Sequence, residues 1–235
     1  MRKIVLFRMF DPAGDFSASS LRTLMELPSD PQFVEYVENN IRNASLRQLA
    51  EYGPLLQLEM TCEYYGRKPT GKMNVARPKI RQKADIWVHG GGKLALATDL
   101  PLTLSRIAAA LLSASFHTKL GQAEVLTFDN GRFKRLLEKV EGEGGKLTSV
   151  HLLGANLSGD YYDVFQGSNR RGIGEGGRKV VETCRKIKRL GFHFHLGEDF
   201  YSFWIADGGN GTLYKPSPPQ PHQLGKLLGF FEDLE

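Results

Sequence analysis

Ile86-Trp87-Val88-His89-Gly90-Gly91-Gly92-Lys93-Leu94 reads as a strand that reverses through glycines into a return strand running on to Ala97. Asp99 and Pro101 then open a long apolar helix over about 101–117. The same order of events recurs at Phe203-Trp204-Ile205-Ala206-Asp207-Gly208-Gly209-Asn210-Gly211-Thr212-Leu213. There Pro216, Pro218 and Pro219 lead into apolar helical sequence from Gln223 to Phe230. Both tryptophans of the chain fall at the same place in this pattern. A long-period repeat of element order is the mark of an internal duplication, which divides the chain into halves at 1–120 and 121–235.

Outward from these units, each half opens with a short apolar strand, 3–9 and 123–128, then helical sequence, then a longer strand, 56–65 and 147–153. Segment 56–65 alternates strictly: Leu56, Leu58, Met60, Cys62 and Tyr64 against Gln57, Glu59, Thr61, Glu63 and Tyr65. Period two over that length predicts a strand with one face buried. Residues 18–53 read as helical. Ser17 or Ser20 caps a first helix, Ser29-Asp30-Pro31 starts a second, and Ala44-Ser45 opens a third that ends at Gly53. Leu46, Leu49 and Tyr52 form the apolar face of that third helix. In the second half a helix is expected at 130–140, and a Gly-, Asn- and Ser-rich loop at 154–177. A basic helix at 178–190, strands at 192–197, 200–206 and 211–215, and a helix at 222–234 follow. The expected fold is α+β: two pseudo-repeated halves, mostly antiparallel sheet, with helices packed on one side.

Strand, glycine-lysine turn, strand and helix, occurring twice, resembles the TATA-box-binding-protein-like saddle. The resemblance is one of element order over most of the chain. It implies a curved sheet with helices on its convex side. It carries no nucleic-acid-contacting residue over to this sequence, because residues 10–53 exceed the single helix of that pattern and 154–177 has no counterpart in it.

Composition is that of a globular protein, 41% hydrophobic and 24% charged over 235 residues, a length that buries a core without covalent staples. The two cysteines, Cys62 and Cys184, lie far apart and in no metal-ligand spacing. That points to a reducing compartment and away from a disulfide framework or zinc knuckle. At the N-terminus Arg8, Asp11 and Asp15 interrupt the apolar run before a signal-peptide core develops. No stretch is long and apolar enough for a helical membrane span. A cytoplasmic protein with no membrane partner is expected.

Formal net charge is +5, and its placement matters more than its sum. Arg67, Lys68, Lys72, Arg77, Lys79, Arg81 and Lys83 precede the next acidic residue, Asp85. On a strand over 77–88, Arg77, Lys79, Arg81, Lys83 and Trp87 share a face, and Ile80, Ala84, Ile86 and Val88 lie on the other. Cations repeating every ~7 Å repel one another, and a polyanion relieves that repulsion while Trp87 or Tyr65 supplies a stacking surface. The competing reading is an edge strand blunted by charge against aggregation. A second basic cluster comprises Arg170, Arg171, Arg178, Lys179, Arg185, Lys186, Lys188 and Arg189, facing away from a buried stripe of Val180, Val181, Cys184 and Ile187. Clustered charge of this kind is the electrostatic footprint of a nucleic-acid binder.

Other constellations carry less. Gly172-Ile173-Gly174-Glu175-Gly176-Gly177 matches G-x-G-x-x-G but lacks a directly preceding strand and holds a glutamate, so it reads as a loop. His193 and His195 leave one strand face and suit a zinc pair completed by Glu198, Asp199 or His151, against the simpler reading of a solvated face. His117-Thr118-Lys119 with Glu124 resembles the pattern of phospholipase D-like nucleases but has Glu where Asp is needed. Asp85, Asp99, Asp129, Asp160 and Asp163 are scattered carboxylates. No metal site and no cofactor are predicted. The leading expectation is a non-catalytic nucleic-acid-binding protein that uses the basic strand face and the basic helix. The alternatives are a metal-dependent nuclease or other enzyme acting on phosphate-bearing substrates, and a protein-interaction module built on Phe200, Tyr201, Phe203 and Trp204.

Overall fold

The computed structural model describes residues 1–10, 16–26, 31–66, 76–89, 93–116, 123–157, 160–232 and 234. These form twelve strands and six α-helices. The strands are β1 (Arg2–Met9), β2 (Ser19–Ser20), β3 (Ile41–Tyr52), β4 (Leu55–Tyr65), β5 (Lys79–His89), β6 (Leu94–Thr98), β7 (Ala123–Val125), β8 (Lys146–Leu157), β9 (Asp160–Ser168), β10 (Lys186–Leu196), β11 (Asp199–Ala206) and β12 (Asn210–Lys215). The helices are α1 (Leu21–Glu26), α2 (Pro31–Asn40), α3 (Ser105–Ser115), α4 (Asn130–Gly142), α5 (Glu175–Thr183) and α6 (Pro221–Glu232). The protein is therefore α+β with antiparallel sheet, and its chain divides into two units, Phe7–Glu124 and Met1–Leu6 with Val125–Glu235.

In the Phe7–Glu124 unit the strand order is β2-β3-β4-β5-β6, with the end of β1 beside β6. The pairs β2/β3, β3/β4, β4/β5 and β5/β6 are antiparallel. The period-two pattern of 56–65 is realised in β4, where Leu58, Met60 and Cys62 are buried. Residues 41–52, expected to close a run of helices, are instead strand β3. Burial there follows period two at Ala44 and Leu46, while Leu49 and Tyr52 of the supposed helix face are 50% and 45% exposed. The reason lies in the turn. Gly53 adopts φ +61° and Pro54 follows it, a pair that reverses the chain tightly and sets Tyr52 opposite Leu55. The Ala44–Tyr52 backbone then bonds to β4 rather than to itself, and sheet pairing overrides helix propensity. Helix α3 packs on this unit with Ile107, Ala108, Leu111 and Leu112 buried, and Ser19 Oγ donates to the Leu111 carbonyl at 3.0 Å.

In the other unit the order is β1-β12-β11-β10-β8-β9, again antiparallel in each of these pairs. One surface of β10 and β11 is filled by Leu190, Phe192, Phe194, Tyr201, Phe203 and Ile205, all at most 1% exposed. Helix α6 lies on that surface, with Phe230 4.8 Å from Phe194 and Phe231 5.5 Å from Phe203 between ring centres. Two expectations are corrected here. Much of 154–177 is not loop: it completes β8 and forms β9, paired from Ser149↔Ser168 to Leu157↔Asp160. The basic helix is also shorter than 178–190, since α5 stops at Thr183 and the chain enters strand β10 at Lys186. The stripe Val180, Val181, Cys184 and Ile187 is buried as predicted, but across a helix end and a strand start. Partners on both sides of β10 supply the backbone bonds that a longer helix would have supplied.

Both units contain two paired antiparallel strands followed in the chain by a helix, β5, β6 and α3 in one and β11, β12 and α6 in the other. Among the described residues no helix is long and apolar enough to cross a membrane.

Candidate nucleic-acid interface

The basic strand lies in β5, and its charged row is exposed as the alternation requires: Lys79, Arg81 and Lys83 point outward while Ala84, Ile86 and Val88 are buried. The neighbouring strand changes its electrostatics. Glu59 on β4 accepts from Lys83 Nζ at 3.0 Å and from Arg47 Nη2 at 2.7 Å, and Arg81 lies 3.8 Å from Glu63. Hydrogen bonds from Lys83 and then Arg47 hold the Glu59 carboxyl below its usual range. Cross-strand carboxylates thus relieve much of the cation–cation repulsion that the linear sequence suggests.

Arg77 sits just before β5 and acts as a strap. Its Nε donates to the Gly66 carbonyl at 3.0 Å and its Nη2 to Asn40 Oδ1 at 2.9 Å, with the guanidinium 5.5 Å from the Tyr65 ring centre. Arg42 covers the same ring at 4.7 Å and donates to Tyr65 Oη at 2.6 Å. Two guanidinium groups therefore lie against Tyr65. Trp87 is 5% exposed beside Tyr52, ring centres 6.0 Å apart, so its indole is packed rather than presented. Arg67, Lys68 and Lys72 lie outside the described residues, as do Gly90, Gly91, Gly92, His117, Thr118 and Lys119.

The second basic cluster is spread over four local settings. Arg170 and Arg171 are exposed in the turn after β9, and Lys179 is exposed on α5, where Arg178 pairs with Glu141 at 2.9 Å and Glu182 at 3.2 Å. Arg185 and Lys186 line an open cleft of about 690 Å³ with Thr127, Asp129, Asn130 and Asp207. Asn130 stitches α4 to β10 there, donating to the Arg185 carbonyl at 3.0 Å and accepting from Ile187 N at 2.8 Å. Lys186 and Lys188 converge on Asp207 at 3.1 and 2.9 Å. Burial raises the Asp207 carboxyl, and hydrogen bonds from Lys188 and Lys186 outweigh it to leave a net lowering. Gly172, Ile173, Gly174 and Glu175 line a separate opening of about 350 Å³ with Arg171 and Arg178.

Arg189 has a different environment. It lies 5.2 Å from the Trp204 ring centre, on the surface of β10–β12 opposite the phenylalanine core. On that surface Trp204 Nε1 donates to Tyr214 Oη at 3.1 Å, and His193 and His195 pack edgewise or tilted on Phe200 at 5.5 and 5.1 Å. The aromatic cluster 200–204 is accordingly split by the pleat: Tyr201 and Phe203 are core, while Phe200 and Trp204 face the other way. Sequence reasoning missed Tyr214 altogether, although its period-two relation to Thr212 within 211–215 was there to be read. His193 and His195 share a face as expected. Among the described residues no group of three or more His, Cys, Asp or Glu side chains is placed to hold a metal ion. No protein-family model matches the chain, and no curated protein matches it.

Proposed function

We propose that this is a nucleic-acid-binding protein acting by contact rather than by catalysis, with cationic surfaces on each of its two units. The observation that carries the reading is the exposed row Lys79, Arg81 and Lys83 on β5, continued by Arg77 and Arg47 and balanced only partly by Glu59 and Glu63. Arg170, Arg171, Lys179, Arg185, Lys186 and Arg189 give the other unit a comparable character. Side chains of this kind meet phosphates and position a strand without reading its bases. We also read the β5–β6–α3 and β11–β12–α6 runs as repeats of one ancestral unit, in the manner of the TATA-box-binding-protein-like saddle.

The test is a salt series of filter binding with wild type and a variant carrying Arg77, Lys79, Arg81 and Lys83 all changed to alanine. Each phosphate contact lowers log affinity by roughly 0.7–0.9 per decade of salt, so losing these contacts flattens the slope by about three. Binding should weaken uniformly across sequences. An unchanged slope would reduce the β5 row to a charge-protected strand.

A further inference from the structure

We propose that the open surface of β10, β11 and β12 is a stacking platform for single-stranded nucleic acid. This deepens the nucleic-acid reading and rests on it. The argument begins with the pleat. Successive side chains of a strand leave opposite faces, and one face of these strands already holds the phenylalanine and tyrosine core under α6. The other face repeats the aromatic choice where there is no such core to fill. Phe200 and Tyr214 are 40% and 43% exposed, and Trp204, His193 and His195 join them. Rings left partly in water forgo part of the stabilisation that full burial would give them.

The floor beneath these rings is small. Gly191 pairs with Trp204, Ser202 with His193, and Thr212 with Trp204 from the other side, so the rings stand above short side chains. Phe200 and Trp204 are four residues apart on β11, about 13 Å, which leaves room for a separate base on each. Charge selects the occupant. The positions of this face are Arg189, Gly191, His193 and His195 on β10, Phe200, Ser202, Trp204 and Ala206 on β11, and Asn210, Thr212 and Tyr214 on β12, with Lys215 brought opposite Ser202 by a bulge. They include an arginine and two histidines and no carboxylate. A face of aromatic rings with a cation among them and no acid complements bases joined by phosphates. A duplex keeps its bases stacked on one another and cannot use the rings, so the substrate class is a single strand.

The experiment measures fluorescence anisotropy of labelled 15-mers of deoxythymidylate, of uridylate and of a mixed-sequence DNA duplex with the full chain at one fixed salt. Compared are wild type, Trp204→Ala, a Phe200→Ala/Tyr214→Ala double variant, and Tyr214→Phe. Stacking lost at one ring should weaken single-strand binding roughly tenfold or more. Duplex binding should stay within about twofold, and Tyr214→Phe, which keeps its ring, should bind as wild type does. Melting temperatures identify any variant that has not folded, and for such a variant leucine, which fills space without a ring, replaces alanine and must still separate single strand from duplex. The two single strands tell RNA from DNA. Wild type binding the oligonucleotides while the aromatic variants lose nothing, or lose equally on duplex, overturns the platform and leaves the phosphate-contact reading standing. Wild type binding no oligonucleotide overturns both and leaves this face to a protein partner.

Discussion

Lys83 on β5 holds its Nζ 3.0 Å from Oε2 of Glu59 on β4, and Arg47 on β3 takes the other carboxylate oxygen, so one side chain joins three strands. Its carboxyl is held below the usual range by those bonds. A lowered folded-state value means that the contribution is present above the ordinary carboxylate pKa, about 4.3, and is lost as pH falls through the folded value. Glu59→Gln should therefore cost no more than about 1 kcal/mol at pH 7, as expected for an exposed network. Its difference from wild type should shrink in strong acid. Urea unfolding at pH 7 and pH 3 measures this, and a constant difference would show that the charge is not responsible. The same variant frees Lys83 and Arg47 and should tighten oligonucleotide binding.

Two glycines with positive φ make opposite predictions. Gly209 has φ +72°, and a Cβ there would meet the Leu126 carbonyl oxygen at 1.9 Å, a backbone atom held by its neighbours. Its own carbonyl accepts from Leu6 N at 3.0 Å. Gly53 has φ +61° and nothing within 4 Å of the added carbon. Gly53→Ala should cost only the left-handed backbone term, roughly 1–2 kcal/mol. Gly209→Ala should cost upwards of ~3 kcal/mol or prevent folding. Equal melting temperatures for the two variants would contradict this.

The same glycines show what was legible in the sequence. The alternation in 56–65 and the glycine turn before Asn210 encode local geometry, and both elements stand in the structure as expected. Residues 44–52 and 186–190 were misread because their spacing is compatible with either period, and the decision falls to partners remote in sequence: β4 for the first, β8 and β11 for the second. The ion pairs of Glu59 and Glu63 were invisible for a similar reason. A run free of acids in sequence gains acids across the strand. Trp87 and Trp204 fall at like places in the sequence pattern, yet one is buried and the other half-buried, which depends on what lies over each strand.

Burial should also make both thiols unreactive. Burial pushes the Cys62 thiol up to about 11, and it raises Cys184, whose Sγ lies 3.2 Å from the Val181 carbonyl. At pH 8 the thiolate that attacks a disulfide reagent is then roughly a thousandth of Cys62. Ellman's reagent should label neither cysteine in the native protein and both after urea unfolding. A thiol titrating at free-cysteine speed in the native state would refute the packing described around it.

The alternation along β11 gives the sharpest test of which aromatic residues hold the fold and which are left to do something else. Tyr201 and Phe203 are at most 1% exposed, with Tyr201 Oη donating to the Gln223 carbonyl at 2.8 Å and the Phe203 ring against Phe192, Phe194 and Phe231. Phe203→Ala removes a ring from a dense cluster and should cost about 3–5 kcal/mol. Tyr201→Phe keeps the buried ring and removes one part-buried hydrogen bond, for about 1 kcal/mol. Phe200, one residue before Tyr201, lies against the His193 and His195 rings and is 40% exposed. Phe200→Ala should shift stability by about 1 kcal/mol or less, because the ring is already 40% exposed and its removal leaves no enclosed cavity in the core. Chemical denaturation of the three variants should find Phe203→Ala the most damaging by a clear margin. If Phe200→Ala proved as costly as Phe203→Ala, the outward ring would belong to the core and would not be free for a ligand.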